Sequence, residues 1–139
     1  MKKFIEDAKD RVWEKEIKKF QRELREITDL AAFTNSEVHS CSPSSPTEKT
    51  AMKRLHLERK IARRINYRKI YDTALDNLTE DEKEIFRGFH LSNKYVSLFV
   101  DEYSHAHDCS PRHVYTLKRE AEKQFCENIQ AQQGDYINY

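Results

Sequence analysis

Apolar positions fall on helical spacings along nearly the whole chain. From Trp13 they run Trp13, Ile17, Phe20, Leu24, Ile27 and Ala31, in alternating steps of four and three. That is a heptad seam, flanked almost wholly by Lys, Arg, Glu and Gln. A stripe this narrow must lie against another helix, from this chain or from a second copy. The pattern predicts one long helix over residues 1–33. Residues 34–44 interrupt it with a Ser-rich, Pro-containing stretch that predicts a mobile loop. Helix resumes at Ser45, where a capping Ser, Pro46 at the first helical position and Glu48 at the third mark a start. It is expected to run to about Asp76. Two long helices joined by a loop predict an antiparallel helical hairpin over residues 1–76, whose pairing can also be intermolecular.

Three shorter helices are expected over residues 77–129. Thr79 opens the first, with Glu82 completing a capping box, and Ile85, Phe86 and Phe89 give it an apolar face. Ser92 is the expected cap of the second. There Tyr95, Phe99 and Tyr103 recur every four residues beside Val96 and Val100, which predicts a buried middle helix. Tyr95–Val100 has the composition of a strand, but no second strand is available to pair with it. Ser110 caps the third helix, and Pro111 sits at its first position, where a missing N–H costs nothing. Val114, Leu117, Ala121 and Phe125 share its inner face. Arg112, Thr116, Arg119 and Lys123 share the opposite face, with His113 and Tyr115 at its edges. A capped helix with a cationic, hydrogen-bonding outer face suits the major groove of double-stranded DNA, although a solvated charged face has the same pattern. Residues 130–139 lose the periodicity and read as a flexible tail.

Composition narrows the reading. Charged residues make up 35% of the 139 and hydrophobic ones 37%, so the core is modest and the helices amphipathic. Two glycines and three prolines supply too few tight turns for an all-β fold. The net charge of +1 gives no global pull toward nucleic acid, so any such argument rests on where the charges sit. Between Lys49 and Lys69 there are nine basic residues and one acid, Glu58. Arg59, Arg63, Arg64 and Arg68 lie in that run. They can track phosphates, or pair with Glu14, Glu16, Glu23 and Glu26 of the first helix.

Other chemistry is sparse. The cysteines, Cys41, Cys109 and Cys126, are odd in number, and no stretch looks like a signal peptide or a membrane span. A cytoplasmic protein with free thiols is expected. His105, His107 and Cys109 alternate in residue types that suit zinc, with His113 or His90 nearby. The spacing lacks a second ligand pair, so no metal or cofactor is expected. Gly-rich phosphate loops, nucleophile elbows and H-E-x-x-H helices are all missing, so the chain does not read as an enzyme.

Residues 78–125 resemble region 4 of sigma factors: Ser110, His113, Val114 and Ala121 occupy places of that module's helix-turn-helix pattern. The whole layout is similar to the RinA/ArpU-type phage late-gene transcriptional activators, through the Ser42–Pro46 loop, the basic helix and Val114-Tyr115 with Ala121. Val100 stands where that pattern has a small residue, Asp108 where it has the turn glycine, and Ser104 to His107 are additional. The resemblance implies a sequence-specific DNA-binding transcription regulator of phage or prophage type, with DNA and RNA polymerase as partners. The expectation is therefore an all-α protein: a long N-terminal helical hairpin, then a three-helix, region-4-like helix-turn-helix domain. The other reading is a helical interaction or dimerisation module without DNA binding, working through the Trp13–Ala31 seam.

Overall fold

The structure is a computed structural model that describes residues 1–37 and 45–133, with side chains described for 1–28 and 48–132. The expected loop from residue 38 to 44, with Cys41, and the tail from Gly134 lie outside the described residues, as do the side chains of the expected Ser45–Pro46 cap. Among those described there is no strand. The helices are α1 (Lys2–Lys9), α2 (Val12–Glu37), α3 (Ser45–Asp76), α4 (Glu80–Phe86), α5 (Val96–His107) and α6 (Pro111–Gln133), with a π-helical segment, Arg87–Leu91, between α4 and α5. The fold is all-α, as the helix-former-rich composition requires. None of these helices is long and apolar enough to cross a membrane.

The chain divides into two compact units, Arg11–Arg68 and Met1–Asp10 with Lys69–Tyr139. The long helix expected over 1–33 is interrupted at the join of these units. Arg11 adopts a left-handed backbone, φ 55°. Asp10 places a carboxylate at the negative end of α1, where it disfavours continuation. α2 in turn runs further than expected, to Glu37.

In the Arg11–Arg68 unit, α2 and α3 pair in opposite directions. Trp13 stacks obliquely on Tyr67 at 5.8 Å. Phe20 lies under Lys60 and Arg64, each 5.3 Å from its ring centre. Arg54 donates to Thr28 Oγ1 at 2.9 Å. Trp13, Phe20 and Leu57 are buried, whereas Ile17, Leu24 and Ile27 are only half-buried. Met52, Leu55 and Ile65 of α3 are exposed.

The other unit has a denser core. Phe4 and Tyr71 lie 6.2 Å apart, Tyr71 meets Phe125 edge-on at 5.5 Å, and Phe125 stacks on Phe86 at 4.6 Å. This aromatic file ties α1, the end of α3, α6 and α4 together. Asn128 and Gln132 of α6 donate to the Ala74 and Ile70 carbonyls. α4 opens with the expected capping box: the Glu82 N–H donates to Thr79 Oγ1 at 3.2 Å, and the Thr79 N–H to Glu82 Oε1 at 3.0 Å. The π-helical segment follows at once, closed by the Ser92 N–H donating to the Arg87 carbonyl at 2.8 Å. The far end of the Phe99 ring abuts Gly88 within it: a Cβ there would come within 2.1 Å of the ring.

Two local expectations are corrected. Ser92 does not cap α5. Its hydroxyl accepts from the Lys94 N–H in a turn, and Tyr95 is the N-cap position. Nor is α5 buried over most of its surface: it buries Val100, Tyr103 and Ser104, while Tyr95 is 84% exposed and Val96 and Leu98 are exposed too. α5 packs on α6 and on the π-helical segment, with Val100 and Tyr103 joining Ile85, Val114 and Ala121 in the core.

Candidate nucleic-acid interface

The candidate interface is built on α5, a short turn and α6. α5 runs through the additional residues Ser104 to His107, so they lengthen the helix and leave the turn at Asp108, Cys109 and Ser110. Asp108 takes the left-handed conformation, φ 49° and ψ 51°, that a turn glycine would fill. Aspartate tolerates it because its short polar side chain can bond locally. Ser110 Oγ accepts from the His113 N–H at 3.2 Å, and Pro111 is the first residue of α6. Val100 is accommodated in one cluster with Ile85, Tyr103, Val114 and Ala121.

α6 presents two opposed faces. Val114, Ala121 and Phe125 have no exposed surface, and Leu117 packs at the margin of the same core. On the other side Arg112, His113, Tyr115, Arg119 and Lys123 are exposed and Thr116 is half-exposed. Thr116 Oγ1 donates to the Arg112 carbonyl at 3.3 Å and accepts from Arg119 at 3.4 Å, which orders the middle of the stripe. Tyr115 rests on Phe89, 5.7 Å between ring centres.

The stripe is not uniform. Arg112, His113, Tyr115 and Thr116 stand clear, whereas Arg119 and Lys123 line a cleft of about 750 Å³ whose far wall is α1. Lys118 also borders it, with its ammonium 5.1 Å above the Phe89 ring and 3.7 Å from Glu122. Neither Lys118 nor the α1 lysines stood out in the sequence: Lys118 lies off the Arg112–Lys123 stripe of α6, and the α1 lysines read as part of one long helix.

The basic run on α3 is partly neutralised. Arg64 donates to Glu16 at 2.6 Å and Arg68 lies 3.4 Å from Glu14, so the pairing alternative holds for these two. Arg59 and Arg63 are exposed and have no ion-pair partner among the described residues. The six stripe residues therefore come together on α6, while the four α3 arginines divide into two bound and two open.

The His/Cys alternation does not gather. His105 and His107 lie on α5, where residues two apart point to different sides. His107 stacks on Tyr103 at 4.0 Å and reaches Glu84 at 3.5 Å, and Cys109 packs against the core. Among the described residues, no group of three or more potential ligands is placed to hold a metal. Burial, with the carboxylates of Glu84 and Asp81 behind it, pushes the Tyr103 hydroxyl up from its ordinary pKa. No protein-family model, no curated protein and no solved structure matches this chain.

Proposed function

We propose that the chain is a sequence-specific DNA-binding regulator of transcription. In this reading α5, the Asp108–Ser110 turn and α6 act as a helix-turn-helix similar to sigma region 4, and α2 with α3 forms a helical hairpin. The observation that carries the reading is the start of α6: a capped, acid-free first turn with Arg112, His113 and Tyr115 exposed, Thr116 half-exposed, and Val114 fully buried on the opposite side. Arg112 and Arg119 would read base edges, Lys123 and His113 the adjoining phosphates, and Arg59 and Arg63 would add sequence-independent affinity. Arg64 and Arg68 contribute less, because their guanidiniums are occupied. RNA polymerase as a second partner and the phage or prophage origin rest on the family resemblance alone, and a cytoplasmic site on the odd count of cysteines.

Selection from a random duplex library tests this. Enrichment of a defined site, weakened by Arg112→Ala, is the expected result. Failure to enrich any sequence would remove the reading.

A second reading, a helical interaction module without DNA binding, is favoured by Met52, Leu55 and Ile65 on α3 and by Tyr95 and Leu98 on α5, all exposed apolar side chains. It requires a concentration-dependent assembly in sedimentation that Ile65→Asp abolishes.

A further inference from the structure

The cleft between α1 and α6 is walled by the two helices and by Phe89 and His90 of the π-helical segment. Its size, about 750 Å³, is that of a pocket for a small organic molecule. The apolar lining comes from Ile5, Phe89 and Cys126. Burial pushes the Cys126 thiol up from its ordinary pKa. The polar groups are of one dominant sign. Five cations line the cleft against two carboxylates, those of Glu6 and Glu122. Glu122 is already committed: His90 donates to it at 2.8 Å and Lys118 lies 3.7 Å away. Lys2, Lys9 and Lys123 have no carboxylate partner among the described residues. An apolar lining under unpaired lysines is complementary to a molecule with an anionic head and an apolar body.

We propose that this cleft binds a small amphipathic anion, its head held by Lys2, Lys9 and Lys123 and its body laid against Ile5, Phe89 and Cys126. The inference does not depend on α6 meeting DNA. Binding would also occupy Lys123 and screen Arg119, so an occupied cleft would change the charge of the α6 stripe.

Decanoate, decanol and inorganic phosphate serve as probes for the full chain. Titration calorimetry measures binding, and the iodoacetamide alkylation rate of Cys126, resolved by peptide mass spectrometry, locates it. Decanoate is expected to bind and to slow Cys126 alkylation at least tenfold, leaving Cys109 unchanged, while decanol and phosphate do neither. Lys9→Glu and, separately, Lys123→Gln should each weaken decanoate binding at least fivefold with unchanged melting curves. Equal binding of decanol would reduce the cleft to an apolar crevice. Equal binding of phosphate would make it a simple anion site. No binding of decanoate, or binding that leaves Cys126 unprotected, would also overturn the proposal.

Discussion

The two units of this chain are opposites in charge and in core. Arg11–Arg68 carries 14 Lys and Arg against 8 Asp and Glu, a net +6. The remainder carries 11 against 16, a net −5. The described buried apolar side chains divide the other way: Trp13, Phe20 and Leu57 in the first unit, fifteen in the second. The first unit is thus a pair of charged helices on a thin seam, and the second is a packed domain with an acidic surface. On an acidic body a cationic stripe such as that of α6 is a local island. It can make a few directed contacts but draws little from the field around it. If the chain meets DNA, discrimination belongs to the packed unit and salt-sensitive affinity to the charged pair.

The difference in cores can be broken with matched substitutions. Val114→Asp places an unpaired charge where no surface is exposed, and is expected to cost several kcal/mol and unfold the packed unit. Leu55→Asp, on the exposed side of α3, is expected to stay within about 0.5 kcal/mol. Thermal and urea denaturation would check both, and equal losses would mean that the buried Val114 and the exposed Leu55 do not differ as described. A smaller effect is expected at Gly88. Its substitution by Ala drives a methyl into the Phe99 ring and should cost about 1–3 kcal/mol, part of which Phe99→Ala in the same chain restores. Strictly additive losses in urea melts would show that the ring and the glycine are not in contact. Least of all should come from the Arg64–Glu16 pair in the charged unit. A double-mutant cycle is expected to give a coupling of roughly 0.2–1 kcal/mol that shrinks with salt. A coupling of several kcal/mol would mean that ion pairs, rather than the seam, hold α2 to α3.

Much of this was legible where local chemistry decides. Thr79 with Glu82, and Ser110 with Pro111, mark helix starts through hydrogen bonds made within four residues, and both starts lie where the pattern put them. The inner face of α6 was legible because a helix against a core repeats every three or four residues. The break at Arg11 had a signal that went unused. On one continuous helix at about 100° per residue, Phe4, Ile5 and Ala8 would point away from the Trp13 seam, so one straight helix could not bury both sets on one side. The exposure of Tyr95 and Leu98 was not legible, because composition alone does not say which faces of α5 meet a neighbour. The pairing of Arg64 and Arg68 with α2, and the cleft beside Lys123, depend on which helices meet, which a periodicity does not contain.

A salt titration of DNA binding bears most directly on the division of labour between the units. It compares the parent chain, Arg112→Ala and the Arg59→Ala/Arg63→Ala double variant on a selected site and on random duplex. Arg112→Ala is expected to lose about 1–3 kcal/mol on the selected site and much less on random DNA, with a nearly unchanged salt slope. The double variant is expected to weaken both duplexes alike and to lower the slope by about two phosphate contacts. A parent chain that binds neither duplex, or an Arg112→Ala variant that loses equally on both, would contradict it.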